Sequence, residues 1–268
     1  MKCPHRNGGK IFGQVRTVKL SLPKDFLLGA ATAGHQVEGN NIHSDWWRAE
    51  QIGRLPQSGK AADHYHFYDN DFGMAKEMGC NAIRLSIEWS RIETRPGEID
   101  AEAVRHYHEV LASLIKHDLT PMMTIFHWTM PQWVAVKGGF ENSDVVNDFG
   151  RFVNFLAHEF GTEVKLWLTI NEPEVFAFEG YWSGVFPPFK KSLWSILKVY
   201  RNLIKAHKEA YRILKKVSGA QVGIAKNVSY SEAFRPNHWL DKLLVWGANK
   251  FNNEFFVDRI KSQLDFIG

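Results

Sequence analysis

The sequence from Asn81 to Trp128 opens with NAIRLSIEW (Asn81–Trp89) and closes with TPMMTIFHW (Thr120–Trp128), with an amphipathic stretch, Ala101–His117, between them. The two outer segments are short apolar runs, the pattern of strands buried on both faces. In the middle, Val104, Tyr107, Val110, Leu111, Leu114 and Ile115 recur at three- and four-residue spacing, which predicts a helix with one buried face. The unit is therefore strand, helix, strand. Similar strand candidates begin near Phe26 (FLLGAAT), Val164 (VKLWLTI), Gln221 (QVGIAKNVSYS) and Leu264 (LDFIG). Helices are predicted around Phe67 to Met78, Val145 to Phe160, Ser192 to Val217 and Trp239 to Ile260. Strands of this kind alternating with helices mean a parallel sheet covered by helices.

Two parallel architectures fit such a rhythm. A doubly wound nucleotide-binding sheet needs a glycine-rich turn after its first strand. Here Gly29, Gly34 and Gly39 match neither G-x-G-x-x-G nor a Walker loop. Polar and aromatic residues gather instead at strand ends, as Glu88-Trp89, His127-Trp128 and Asn171-Glu172. That is the habit of the (β/α)8 TIM barrel, the α/β fold expected here. Strand starts recur roughly every 50 residues, so eight units would need about 400. The 268 residues then hold about five β/α units and the start of strand six. The expected organisation is a basic N-terminal tail over residues 1–20, then the N-terminal part of a single, truncated barrel domain over residues 21–268.

Composition narrows the function. With 44% hydrophobic and 23% charged residues, the chain has material for a large core and is not a disordered polymer. No apolar run reaches the ~18 residues a membrane span requires. The net charge of +4 lacks the clustering of a nucleic-acid binder, so neither nucleic acid nor membrane is expected as a partner. Lys198, Arg201, Lys205, Lys208, Arg212 and Lys215 lie on a helix with an apolar stripe of Leu193, Leu197, Tyr200, Ile204, Tyr211 and Leu214, and read as a solvated outer face. Two cysteines, Cys3 and Cys80, make no disulfide framework, and the first twenty residues lack the apolar stretch of a signal peptide. A cytoplasmic protein is the expectation. His64 and His66 beside Asp63 and Asp69 could be misread as a metal cluster, but residues two apart on a helix do not face one another. No metal or cofactor is expected.

The chemistry concentrates in WLTINEP, Trp167–Pro173. Pro173 cannot continue a ladder, so the strand stops just past Glu172 and leaves a carboxyl at the barrel mouth, a position suited to a proton donor. Asn171 beside it can hydrogen-bond a hydroxyl. In FLLGAATAGHQVEG, Phe26–Gly39, small residues let a ligand approach the backbone, and Gln36 offers both a donor and an acceptor. In TIFHWTMPQW, Thr124–Trp133, His127 is placed for a hydroxyl, and Trp128 and Trp133 offer flat faces to a sugar ring. Arg84, inside an otherwise apolar strand, requires a carboxylate partner, either an active-site glutamate or a structural ion pair.

In their order, FLLGAATAGHQVEG, DHYHFYDNDFGMAKEMGCNAIRLSIEWSRI, FHWTMPQW, WLTINEP and GYWSGVFPP resemble family 1 of the glycoside hydrolases, the β-glucosidase and β-galactosidase family. The resemblance covers nearly all of the chain from Phe26 onward. It implies a TIM barrel, a retaining mechanism and a substrate that is a β-linked saccharide or an aryl or alkyl β-glycoside. It further implies that Glu172 is the general acid/base, that Gln36, His127, Trp128 and Asn171 bind substrate, and that Arg84 supports the nucleophile. Leu28 and His35 depart from the family's aromatics, Thr129 from the aspartate usual after His-Trp, and Phe189 from a common glycine. A larger departure concerns the nucleophile, which the family carries in a Glu-Asn-Gly segment. The only Glu-Asn pair here, Glu141-Asn142, continues to Ser143. The expectation is a retaining β-glycosidase whose chain, taken alone, lacks its nucleophile and is inactive. The alternatives are a catalytically inactive carbohydrate-binding half-barrel and a relative from another barrel family with the same Asn-Glu-Pro strand end.

Overall fold

Every predicted strand is present, and all of them join one parallel sheet. The computed structural model describes residues 21–268, and the tail expected over residues 1–20 lies outside the described residues. In chain order the strands are β1 (Gly29–Ala31), β2 (Ala82–Ser86), β3 (Glu93–Arg95), β4 (Glu98–Ile99), β5 (Thr120–Phe126), β6 (Leu166–Asn171), β7 (Gln221–Ala225) and β8 (Phe266–Ile267). The six-stranded sheet has the order β1-β2-β5-β6-β7-β8, while β3 and β4 form a separate antiparallel hairpin that the sequence reading did not anticipate. The helices are α1 (Gly34–Val37), α2 (Asp45–Gln51), α3 (His64–Glu77), α4 (Trp89–Ile92), α5 (Ala101–Lys116), α6 (Gln132–Val136), α7 (Val145–Phe160), α8 (Pro173–Phe178), α9 (Leu193–Leu214), α10 (Trp239–Asn249) and α11 (Phe255–Ile260). The single helix predicted from Trp239 to Ile260 is interrupted by a π-turn at Lys250–Glu254.

Parallel register determines what faces what. Leu85, Met123, Trp167 and Val222 pair in one row across β2, β5, β6 and β7, and all four belong to the main core. The next row, Ser86, Thr124, Leu168 and Gly223, must point to the opposite face, and none of its members joins that core. Helices therefore cover one side of the sheet, and smaller or polar side chains line the other. The sheet curls into part of a barrel. Among the described residues its outer strands, β1 and β8, each pair on one side only, and Leu27, Leu28 and Ile267 beside those edges are exposed. Trp239, Leu244 and Trp246 on α10 are exposed as well.

The helices follow their patterns with one correction. In α5, Tyr107, Val110, Leu111 and Leu114 are buried, and the Asp100 side chain caps the first turn by accepting from Glu102 N and Ala103 N at 2.9 and 3.0 Å. In α9 the expected stripe is rotated at its start. Leu193 and Leu197 are exposed, whereas Ile196, Val199, Leu203, Ala206, His207 and Ala210 are buried. Tyr200 and Leu214 of the expected stripe are buried with them, so the buried face mixes large apolar residues with alanines and His207, and the stripe places only its N-terminal end wrongly. His207 holds α9 to the sheet. Its Nε2 donates to the Gln263 carbonyl at 2.8 Å, and its Nδ1 meets the Thr169 hydroxyl at 2.7 Å.

Two stability effects follow. Replacing the cap, Asp100→Ala, is expected to cost about 1 kcal/mol in urea unfolding. Burial lowers the pKa of His207 to about 4. The folded value lies below the unfolded one, so the unfolded chain takes up the proton first. Stability tied to His207 is complete above pH ~6.5 and is lost as pH falls toward 4, by up to about 3 kcal/mol. Urea unfolding of His207→Gln is expected to lose less stability than the parent between pH 7 and pH 4.

Candidate active site at the strand ends

The site is built where β5 and β6 finish. Phe126 pairs with Ile170, so His127 and Asn171, the residues that follow them, lie at one level along neighbouring strands. At the end of β6 the pairing slips. Leu168 opposes Gly223 and Asn171 opposes Ala225, so β6 holds one residue more than β7 across that interval. Such a bulge re-aims the residues beyond it. Glu172 N donates to the Ala225 carbonyl at 2.8 Å, the last bond before the chain turns. Glu172 itself is left-handed, with φ of 45°, and Pro173 opens α8, where a missing N–H costs nothing. Trp128, just past β5, is left-handed too, with φ of 73°. Two non-glycine residues in this conformation at adjacent strand ends mark the site, since such backbone persists only where the surroundings enforce it.

Trp128 ties the two ends together, its Nε1 donating to the Asn171 carbonyl at 3.0 Å. Its ring, the rings of His127, His35 and Trp46, and the side chains of Gln36 and Thr129 line one small cleft. Gln36 is exposed on α1. Trp46 on α2 has no motif to announce it; it enters through space, 5.7 Å from His35 and 4.9 Å from Phe186 between ring centroids. Trp133, expected as a sugar platform, is elsewhere. It packs edge-on against Trp89 at 5.9 Å and donates to the Glu93 carbonyl, because α6 turns it into the core.

The electrostatics are those of polar groups held in reserve. Asn171 is 2% exposed and its Oδ1 has no partner. His127 Nδ1 and Arg84 Nε are likewise buried without one. Burial, helped by the Arg84 charge, lowers the His127 pKa to about 3, leaving a neutral imidazole able to meet a hydroxyl. Arg84 makes no ion pair among the described residues; burial lowers its pKa while the charge of Glu172 opposes that shift. Unpaired buried atoms each cost about 1–3 kcal/mol and call for an explanation.

The departures also resolve. Thr129 donates to Glu88 at 2.7 Å, and His35 Nε2 lies 3.0 Å from Glu50 Oε1. Phe189 has φ of 60°, which explains a common glycine at this position, and the Arg54 guanidinium lies 4.2 Å over its ring. His64 pairs with Asp71 and His66 with Asp63, both at 2.6 Å. Among the described residues no group of three or more His, Cys, Asp or Glu is placed to hold a metal. No helix there is long and apolar enough to cross a membrane.

Comparison with known proteins places this geometry. The family model "Glycosyl hydrolase family 1" matches residues 18–262. "Beta-glucosidase A" of Acetivibrio thermocellus is 33% identical over 223 residues, covering 79% of this chain and 50% of its own. The chain thus spans about half the length of such a curated relative. A β-glycosidase structure from Pyrococcus horikoshii superposes with a TM-score of 0.87 at 36% identity, over 91% of this chain and 57% of that one. The β-glucosidase of Thermotoga maritima in complex with castanospermine gives 0.81 at 27% identity, over 91% and 60%. Fold, strand-end motifs and family match agree, and the chain belongs to family 1 of the glycosyl hydrolases.

Proposed function

We propose that this chain carries the acid/base and sugar-binding half of a retaining β-glycosidase site. The observation that carries the reading is the set of three buried polar atoms without partners, Asn171 Oδ1, His127 Nδ1 and Arg84 Nε, on the strands around Glu172. A pyranose hydroxyl both donates and accepts, so it can satisfy Asn171 and His127, while Trp128 supplies an apolar face. Glu172 protonates the departing glycosidic oxygen and then deprotonates water in the second step. Gln36 binds from the opposite wall of the cleft, and Arg84 stands ready to orient the nucleophile. That carboxylate has to lie about 5–5.5 Å from Glu172 for retention. The sequence has no Glu-Asn-Gly segment, so the proposal takes the nucleophile from outside these 268 residues. The substrate is a β-linked saccharide or an aryl or alkyl β-glycoside, of the glucoside or galactoside type.

Two assays test this. The chain alone is expected to give no turnover of an aryl β-glucoside above buffer; turnover that Glu172→Gln abolishes would overturn the missing-nucleophile reading. In calorimetry it is expected to bind an iminosugar, with His127→Ala and Asn171→Ala each weakening affinity about tenfold, or roughly 1.4 kcal/mol. Binding without turnover is also what a carbohydrate-binding half-barrel would do. Joining the chain to the C-terminal half of a family member separates the two: recovered turnover that requires Glu172 supports the enzyme.

A further inference from the structure

Glu88 lies behind the cleft wall and no step assigned to Glu172 uses it. It is 2% exposed, yet its carboxylate is heavily engaged. Oε2 accepts from Asn41 Nδ2 and Thr129 Oγ1, each at 2.7 Å, and from Ser90 Oγ at 3.5 Å. Oε1 accepts from the His35 backbone N–H at 3.3 Å and from Ser86 Oγ at 3.4 Å. One carboxylate therefore holds both cleft walls: the turn carrying His35 and Gln36, and the strand end carrying His127, Trp128 and Thr129.

Two neighbours are fitted to it. A Cβ at Gly34 would lie 2.5 Å from Glu88 Cγ and 2.7 Å from Oε1, so position 34 has room for hydrogen alone while Glu88 is present. Gly34 is not in the left-handed region, so close approach is the only demand on it. Thr129 stands where the family usually has aspartate. An aspartate there would oppose Glu88 with a second carboxylate in a buried site, a costly arrangement. The surrounding charges are already dense. Burial first, and the Glu88 charge among lesser causes, raises Glu38 and Asp45 to about 7, and Arg91 is the cation facing this group.

We infer that Glu88 is a positioning residue for the sugar cleft, supplying from β2's end the carboxylate that the family supplies after His-Trp, and that Gly34 and Thr129 are its obligate companions. The inference rests on the saccharide reading only for what the cleft binds. Amide hydrogen exchange on the full chain, followed in parallel with iminosugar calorimetry, tests it. In Glu88→Gln, protection at His35, whose N–H donates to Glu88, and at Met130, next to Thr129, is expected to fall at least tenfold while amides in Val145–Phe160 keep theirs, and iminosugar affinity falls at least tenfold. Thr129→Asp alone is expected to disturb the same amides, and Glu88→Ser with Thr129→Asp to restore both readouts to within threefold. Gly34→Ala is expected to disrupt the parent and to be tolerated in Glu88→Ser/Thr129→Asp. Unchanged local protection in Glu88→Gln, an equal loss at every amide, or no rescue by the double variant would overturn the inference. If the parent binds no iminosugar, the saccharide reading fails, and the exchange pattern still decides the role of Glu88.

Discussion

The parallel ladder is the constraint on which everything else rests. Because β1, β2, β5, β6 and β7 run the same way, their C-terminal ends form one rim, and residues far apart in sequence meet there. Gln36, Glu88, His127 and Glu172 are brought together by this alone. Antiparallel pairing would send alternate strand ends to opposite sides and scatter the same residues. The ladder is continuous until Leu168, and its slip before Asn171 comes at the one place where a regular strand would mis-aim the chemistry.

Much of this was legible in the sequence because the signals were local. Apolar runs such as NAIRLSIEW identify strands without knowledge of their neighbours, and Pro173 marks the end of β6 unaided. His127, Trp128 and Asn171 could be placed at the rim because each sits at the end of a strand the pattern already located, and Gln36 because it follows β1 in the next turn of chain. What escaped depends on distance in space. Trp46 joins the cleft through ring contacts, and the buried face of α9 was misjudged at its start because Leu193 and Leu197 face outward while Ile196, Ala206 and His207 face in. Trp133 was read as facing a sugar because it lies near His127 in sequence, yet the short helix from Gln132 turns it inward. The β6 bulge leaves no mark in composition at all.

Around the cleft two sets of buried polar groups stand in contrast, while other buried atoms without partners, such as Tyr200 Oη and Asn202 Oδ1, lie away from it. Those behind the cleft are satisfied: Glu88 by several donors, and Glu38 by Arg91 at 2.7 Å and Tyr107 at 3.0 Å. Those at the rim, on Asn171, His127 and Arg84, are not. A satisfied network stiffens its surroundings, whereas an unsatisfied set keeps its bonding capacity for a visitor. The arrangement pairs a stiff interior with a rim that keeps unused bonding capacity.

The two outer strands carry a consequence for assembly. Among the described residues β1 and β8 lie at opposite ends of one sheet and run in the same direction. If two copies met edge to edge in parallel, β8 of one would pair with β1 of the next. That contact is heterologous, with a different surface on each side, so it has no twofold axis to close it and would propagate. A barrel removes the hazard by joining its own first and last strands.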